Sequence, residues 1–547
     1  MKFHFRPKLL DTLHGYTREI FFQDLSAGIT VGVLALPLAM AFAIASGMSP
    51  SAGIWTAIIA GFLISLLGGS KVQIGGPTGA FIPIVYGIVS GLGIPDLLIA
   101  TMMSGIILFT LGTLRLGNMI RFIPRGVVIG FTSGIAVIIF LSQIKDFLGL
   151  PIDNPPGEFF GKIKALYAGL GQIHLPTLMI SAASLAILAG WNRMSLKVAW
   201  MRRLPGPLAV LIIATAVNTV FDLPTDTIGS RFNGIPQELA AFALPEISLG
   251  TLRQLFAPAF AIALLGAIES LLSARIADTR INDRHNPNQE LMAQGIANLV
   301  APLFGGFAAT GAIARTATNI RSGGRTPIAG MIHAGVLLAI VLVFAPLASH
   351  IPLATLSAII VMVAFHMGDW HALSPRELRR YSNNYRAILL CTFFVTVIFD
   401  LTLAVELGMG LACLFFITRI SDLTRIEPIE LDAQDSPHIL AWKVSGSLFF
   451  GAANKLEDTL LAQDVQADVV ILDLDKVINI DTTGLDILQS LHRNLKNRNA
   501  TLILCSLGKQ SASLIDRSGF REQLGQENIC ANFTIALEQA RTPPPMR

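Results

Sequence analysis

Apolar runs of about 20 residues recur along this sequence from Leu25 to Thr418, and they constrain the fold more than any other feature. An α-helix needs a run of that length to cross the hydrocarbon core of a bilayer. Hydrophobic residues make up 52% of the 547 residues and charged residues only 14%, whereas an average soluble domain carries about 25% charged residues. The chain is therefore predicted to be a polytopic α-helical membrane protein that sits in a lipid bilayer.

The runs predict 14 membrane segments in two sets of seven, within a transporter domain of residues 25–421. The first set starts near Leu25, Ser51, Pro77, Leu92, Pro124, Pro176 and Leu204, and the second near Leu252, Leu291, Gly311, Pro327, Pro352, Ala387 and Ala404. An odd number of spans in each set gives the two halves opposite orientations. The pattern therefore predicts a 7+7 inverted repeat.

The distribution of basic residues predicts the orientation of the chain in the membrane. With the N-terminus in the cytoplasm, basic residues concentrate in the inside connections, as the positive-inside rule requires. The inside connections hold Lys71, Arg125, Arg280, Arg321 and Arg376 among others, and the outside connections hold Lys145, Lys162, Lys164, Arg231 and Arg253. An even number of spans then puts both termini in the cytoplasm. The net charge of +4 does not suggest a nucleic-acid partner.

Residues 1–24 form the predicted cytosolic N-terminal segment. They contain basic residues but no compact apolar core, so we do not interpret them as a cleavable signal peptide. The four cysteines have no metal-ligand spacing, and they imply neither a metal site nor a disulfide framework. No nucleophile–base set stands out either, and an enzyme is not predicted.

Two apolar segments are too short and too broken to be ordinary spans. They are "VQIGGPTGAFIPIVYGI", residues 72–88, and "FGGFAATGAIARTATNI", residues 304–320, and both contain Thr-Gly-Ala after a Gly-Gly pair. Each is the third segment of its set of seven. Interrupted helices at matching positions of an inverted repeat mark the binding site of many secondary transporters, so these segments are predicted to form the site.

The composition changes after the last apolar run, and residues 436–547 are predicted to be a small cytosolic α/β domain. The stretch from Ala467 to Leu507 predicts a strand, a turn, a helix and another strand, in which the helix has an apolar leucine face. The turn "NIDTTGLDIL" resembles that of the STAS domain, named for sulfate transporters and anti-sigma-factor antagonists. In that family a Ser or Thr at this turn can be phosphorylated, and Thr482 occupies the position. The alternative is that Thr482 only caps the helix.

The resemblance extends over nearly the whole chain. The stretches "ALPLAMAFAIASG", "GGPTGAF", "GAIESLLSARIAD" and "NPNQELMAQGIANLVAPLFGGFAATGAIARTATNIRSGG", followed by the STAS end, are similar to those of the SulP family and stand in the same order. SulP proteins are anion transporters whose inverted repeat is split into a core and a gate domain, and many are homodimers. The resemblance implies an anion transporter of this fold, placed in the inner (plasma) membrane of a bacterium.

The broken segments have a physical reason to bind an anion. A helix that begins inside the membrane has unpaired N–H groups at its first turn, which carry partial positive charge. Two such ends that face each other form an anion site without any metal or cofactor. The residues predicted to supply it are Thr78, Gly79, Ala80, Gly311, Ala312 and Ile313. The alternative is that the glycines only let helices pack closely.

Three polar residues at membrane depth are candidates for binding or coupling. Arg315 is one turn into the second broken helix, where the family has a basic residue near its anion; it adds positive potential to the site or pairs with a carboxylate. Glu269 lies in an apolar helix, where an ionised carboxylate is costly, which makes it a candidate proton carrier. In sodium-driven members an acidic residue here and a hydroxyl one turn later bind the ion, and Ser273 supplies that hydroxyl. A permanent Glu269–Arg315 ion pair is the structural alternative.

The chain departs from the family at one position. The glutamine that follows the first-span proline is Leu38 here, while Phe42, one turn later, still provides an apolar wall for the substrate. Sulfate, bicarbonate and C4-dicarboxylates such as fumarate or succinate all stay open as substrates, with a proton or sodium as the coupling ion. The alternatives of other classes are a nucleobase permease of the same fold and a STAS-linked membrane sensor without net transport.

Overall fold

The computed structural model describes residues 5–122, 124–152, 159–197, 206–232, 249–399, 401–432, 438–449 and 467–541. The chain divides into two compact units, Met1–Met409 and Gly410–Arg547. The first unit is helical, and the second contains a β-sheet flanked by helices. This order agrees with a helical membrane part followed by an α/β domain.

The helices of the first unit begin with α1 (Lys8–Leu13), α2 (Arg18–Ala45), α3 (Pro50–Leu67), α4 (Ile82–Leu92), α5 (Ile94–Thr113), α6 (Arg125–Leu148), α7 (Phe159–Gly169), α8 (Leu175–Lys197) and α9 (Gly206–Val220). They continue with α10 (Ile228–Phe232), α11 (Leu249–Ile281), α12 (Pro287–Val300), α13 (Ile313–Arg321), α14 (Ile328–Ala348), α15 (Leu353–Met367), α16 (Pro375–Leu378), α17 (Asn383–Ile398) and α18 (Leu401–Leu423), the last of which crosses the boundary between the units.

Five of the described helices are long and apolar enough to cross a membrane, and a bent pair adds a sixth candidate. They are Arg18–Ala45, Pro50–Leu67, Ile94–Thr113, Arg125–Leu148 and Gly250–Ile281, with the pair Phe159–Gln172 and Leu175–Trp191 bent by 112°. Shorter apolar helices, such as α9, α15 and α17, lie between and after them. The first unit is therefore built from membrane-type helices, while the count of 14 segments and the inverted repeat stay predictions.

The helix ends follow local sequence signals. Ser49 accepts a hydrogen bond from the Ala52 N–H at the start of α3, and Pro50 occupies the first helical position, where its missing N–H costs nothing. Asn286 caps α12 in the same way, followed by Pro287. These caps set the bounds of two helices that line the broken segments.

The membrane helices form two packing groups. In one, α14 packs on α2 and α3, and α12 and α11 pack on α5. In the other, α15 and α17 pack on α6, and α15 also packs on α8. Within the first group, Gly105 of α5 faces Gly295 of α12 so closely that a Cβ on either glycine would lie 2.7 Å from the carbonyl oxygen of the other. Such small residues allow close contact of helix backbones in a membrane.

The second unit contains a five-stranded sheet in the order β3-β4-β5-β6-β7. Its strands are β3 (Arg425–Pro428), β4 (Ile439–Leu448), β5 (Val469–Ile480), β6 (Thr501–Cys505) and β7 (Ile529–Cys530). The β3–β4 pair is antiparallel and the other pairs are parallel. The helices are α19 (Thr482–Asn497), α20 (Lys509–Arg517), α21 (Phe520–Leu524) and α22 (Phe533–Arg541). The predicted leucine face of α19 is buried, through Leu485, Leu488, Leu491 and Leu495.

A candidate binding site between two broken helices

The two broken segments meet through a short antiparallel β-pair. Strand β1 (Gly75–Gly76) pairs with β2 (Thr310–Gly311), with Gly75 opposite Gly311. After β1 the chain forms a 3₁₀ turn, Gly79–Phe81, that continues into α4, and after β2 it begins α13. We call the place where β1 and β2 pair the crossing. Because the paired strands run in opposite directions, α4 and α13 leave the crossing in opposite directions. The crossing thus contains two helix starts, as the sequence predicts for a binding site.

The helix starts offer unpaired N–H groups. Within the described residues, the N–H groups of Gly79 and Ala80 on one side, and of Ile313 and Ala314 on the other, have no hydrogen-bond partner. The Ala312 N–H, in contrast, donates to the Ile74 carbonyl oxygen over 2.8 Å. On α13, the N–H groups available to a ligand are therefore those of Ile313 and Ala314, whereas the predicted set ended at Ile313. The side chains of Ile313 and Ala314 are exposed, so this turn is accessible.

Arg315 lies in the crossing and is only 1% exposed. Its Nη2 donates to the Pro77 carbonyl oxygen over 2.8 Å, and its Nη1 has no partner. A buried unpaired donor on a charged group costs more than the 1–3 kcal/mol or so of a neutral one, so a ligand acceptor at this nitrogen would be stabilised. Gly76, at φ +147°, lies so close that a Cβ there would overlap with Nη1. Arg315 thus ties the second broken helix to the first and keeps one donor available.

Phe42 and Gly79 face each other beside the first helix start. A Cβ on Gly79 would lie 3.5 Å from Phe42 Cε1 and 3.4 Å from Ile139 Cδ1, which is close contact without overlap. Phe42 is 6% exposed, and Leu38, at the position of the family glutamine, is equally buried. The wall of the candidate site on this side is therefore apolar.

Glu269 of α11 is hydrogen-bonded to the first broken segment. The Thr78 hydroxyl donates to its Oε2 over 2.8 Å, and the glutamate side chain is half-buried. Among the described residues no ion pair within 4 Å joins Glu269 and Arg315, and the arginine donates to the Pro77 carbonyl oxygen. The direct ion pair considered as an alternative is therefore not formed in this structure, although the two opposite charges attract each other across the crossing. A carboxylate next to the helix start is instead in a position to sense a charge bound there.

Ser273, one turn after Glu269, contacts the second broken segment. It is 1% exposed and its hydroxyl donates to Thr316 Oγ1 over 3.3 Å. The same Thr316 oxygen accepts from the Ile74 N–H over 3.1 Å. The two predicted coupling residues therefore touch different halves of the crossing, Glu269 the first and Ser273 the second. Neither residue's role is tested by this geometry, and both stay predictions.

Gln73 also belongs to the crossing, but the sequence analysis does not single it out. Its Nε2 donates to the Ser270 carbonyl oxygen over 3.2 Å, and its buried Oε1 has no partner. A Cβ on Gly311 would overlap with this amide. Any side chain at Gly311 would therefore have to displace Gln73. A polar residue just before the Gly-Gly pair was the available signal.

Thr482 in the second unit is the exposed first residue of α19. The helix is capped by Asp481, whose Oδ1 accepts from the Gly484 N–H over 2.8 Å. A Cβ on Gly484 would lie 2.6 Å from the Leu448 carbonyl oxygen, so the glycine permits close packing of the helix on β4. Asp481 and not Thr482 is therefore the cap, and phosphorylation of the exposed Thr482 stays a prediction.

Comparison with known protein families gives two matches. The profile described as "Sulfate permease family" matches residues 21–391, and that of the STAS domain matches residues 430–534. Among similar proteins, YvdB of Bacillus subtilis, provisionally named a sulfate transporter, is 42% identical over 94% of this chain and 97% of its own length.

Two solved structures are similar to the chain. The transmembrane domain of the cyanobacterial bicarbonate transporter BicA superposes with a TM-score of 0.63, at 31% identity, over 73% of this chain and 98% of that domain. The structure of SLC26A9 superposes with a TM-score of 0.86 over 97% of this chain and 92% of that one. At 18% identity, this superposition shows a common fold. The chain therefore belongs to the sulfate permease family and carries a C-terminal STAS domain.

Proposed function

We propose that the protein is a secondary active transporter that moves a small anion through the crossing of the two broken helices. The observation that carries the proposal is the arrangement of donors: four unpaired N–H groups from two helix starts and the unpartnered Nη1 of the buried Arg315. The oriented N–H dipoles of the helix starts and the fixed Arg315 guanidinium favour a negative ligand. Beside an apolar wall, they offer little to a neutral ligand. This argues for an anion and against a nucleobase.

The substrate is a small oxyanion or dicarboxylate. YvdB carries the name of a sulfate transporter and BicA that of a bicarbonate transporter, so sulfate and bicarbonate are the first candidates. A C4-dicarboxylate is the third, because its two carboxylates suit a site with donors on both sides. The apolar Leu38 and Phe42 leave recognition to backbone donors, which bind any of these oxygens.

Coupling arises from the charge on Glu269. An ionised carboxylate bonded to Thr78 lies beside the helix start and repels an anion bound there. A proton on Glu269 removes this repulsion, and a sodium ion held by Glu269, Ser273 and backbone oxygens would offset it. A proton is the simpler coupling ion, because it needs only Glu269. Sodium would need Glu269 and Ser273 together, and these two side chains contact different segments. The anion and its coupling cation thus bind together and are released together.

The transport cycle is alternating access in a fold of 14 segments, arranged as a 7+7 inverted repeat in a bacterial plasma membrane. The packing group of α2, α3, α5, α11, α12 and α14 holds the broken helices and would be the core, while α6, α8, α15 and α17 would be the gate. Both termini lie in the cytoplasm, and the transporter works as a homodimer, as the family resemblance implies.

The test is uptake by the purified full-length protein in liposomes. Labelled sulfate, bicarbonate and fumarate are supplied in turn, each under a proton gradient alone, a sodium gradient alone and no gradient, with uracil as a neutral control. We expect accumulation of at least one anion under the proton gradient and none of uracil. Uracil uptake, or no uptake of any of the three anions, would overturn the proposal.

A further inference from the structure

A large cavity lies beside the broken helices, outside the crossing itself. Its volume is about 930 Å³. Its walls come from the C-terminal end of α2, from α4 and from the C-terminal half of α6, together with residues of α7, α10, α11 and α17. The walls thus belong to both packing groups of the first unit. None of the predicted binding or coupling residues lines it, although it borders the crossing at the first turn of α4.

Lys162 of α7 is a basic residue buried in the wall of this cavity. It is 8% exposed, and its Nζ lies 5.5 Å from the centre of the Tyr86 ring of α4. A cation over an aromatic face gains about 0.5–2 kcal/mol. Among the residues that the structure describes, Lys162 forms no ion pair within 4 Å. A buried ammonium with no counter-charge among these residues is costly, and an anion in the cavity would relieve that cost.

The cavity has an excess of positive charge. Its described lining residues include three basic side chains, those of Lys145, Lys162 and Arg231, and one acidic side chain, that of Asp146. Arg231 and Asp146 are paired over 2.9 Å and neutralise each other. Among the described lining residues, Lys162 therefore adds a positive charge that the Arg231–Asp146 pair does not offset. A concave, partly apolar surface of one sign concentrates ions of the opposite sign.

The cavity also reaches the first turn of α4. Ile82 and Pro83 line it, and they directly follow the 3₁₀ turn Gly79–Phe81 that bears unpaired N–H donors. We propose that Lys162, held against the Tyr86 ring, forms a second anion-binding site, which collects small oxyanions in this cavity before they reach the broken helices. Its role in transport rests on the proposed function, whereas binding at Lys162 does not.

Binding is measured first, without transport. The purified full-length protein is reductively methylated with formaldehyde and dimethylamine–borane, which are uncharged, in increasing sodium sulfate, and the methylation of each lysine is followed by mass spectrometry. Lys164 is the internal control, since it lies two residues away on the exposed side of the same helix. We expect saturating sulfate to slow the methylation of Lys162 roughly tenfold while Lys164 is unaffected. Equal slowing of both lysines, or of neither, overturns the proposal.

The second measurement is uptake by liposomes at low ionic strength, with anion supplied on the side of α7. Lys162→Gln should raise KM about 3- to 10-fold with kcat unchanged, and Lys162→Arg should restore KM, while the charge-matched Lys164→Gln should leave KM unchanged. Equal KM changes in Lys162→Gln and Lys164→Gln overturn the proposal. If no anion is transported but sulfate still protects Lys162, the transport function fails while the binding site stands.

Discussion

The hydrogen bond between Thr78 and Glu269 makes the coupling proposal quantitative. Glu269→Gln removes the negative charge but keeps an oxygen that accepts from the Thr78 hydroxyl, so the local geometry is preserved. If the charge of Glu269 opposes anion binding, the variant should behave permanently like the protonated protein. It should bind anion tightly at every pH and exchange it, yet fail to accumulate it under a proton gradient.

The size of the effect follows from the geometry. Thr78 Oγ1 lies 2.8 Å from the carboxylate, and the unpaired N–H of the next residue, Gly79, would hold the anion. The path from the carboxylate to that anion contains two hydrogen bonds, of 2.8 Å to the Thr78 hydroxyl and of about 2.9 Å from the Gly79 N–H, joined by a few covalent bonds. Because this path is bent, we take a separation of roughly 7 Å between the anion and the carboxylate. At an effective dielectric constant of about 20, two unit charges at this distance repel by about 2.4 kcal/mol. The affinity should therefore change about 50-fold.

The assay is calorimetric titration of the purified protein with the transported anion at acidic and at alkaline pH. The wild-type protein should bind more weakly as pH rises, because Glu269 loses its proton, whereas Glu269→Gln should keep the acidic affinity throughout. Thr78→Val is the control: it removes the hydrogen bond but keeps the charge, so pH dependence should persist. Equal pH dependence in Glu269→Gln and wild type, or undiminished proton-driven accumulation by the variant, would refute the reasoning.

Three further predictions test the remaining contacts. Gly311→Ala should lower Tm and destabilise the protein by about 1–3 kcal/mol through overpacking, whereas Gly79→Ala should keep Tm and weaken anion binding, since its Cβ makes only ordinary contacts. Asp481→Ala should cost about 1 kcal/mol of helix capping, seen as faster hydrogen exchange in α19. Burial, and then the charge of Asp473, raise the pKa of the Cys505 thiol to about 12. In the unfolded chain a thiol pKa is near 8.5. Alkylation of native Cys505 by iodoacetamide at pH 8.5 should therefore be about 1000-fold slower than in the unfolded chain. Alkylation of native Cys505 at the unfolded rate would contradict this last prediction.

The sequence located the broken helices because their signal is local. Gly-Gly pairs, Pro77 and the repeated Thr-Gly-Ala interrupt an apolar background, and each forms a helix start where predicted. The family was identified correctly for the same reason, since the motifs are long and occur in order. The C-terminal strands and the leucine face of α19 followed from periodicity alone.

Pairings between distant segments could not be predicted in this way. Nothing in the sequence shows that Gly75 lies opposite Gly311, and that pairing removes the Ala312 N–H from the set of free donors. The contact of Gln73 with the Gly311 backbone is equally non-local. Such details depend on the register of two segments more than 200 residues apart, which only the folded chain fixes.

The β-pair at the crossing limits how this molecule can work. Because the two interrupted segments share backbone hydrogen bonds, and Arg315 fastens one to the Pro77 carbonyl of the other, they cannot be pulled apart without breaking buried polar contacts. In the proposed transport cycle, an anion held there would be enclosed by a single joined unit. Its exchange with either compartment would then require the surrounding helices to move past that unit, while its two halves stay joined.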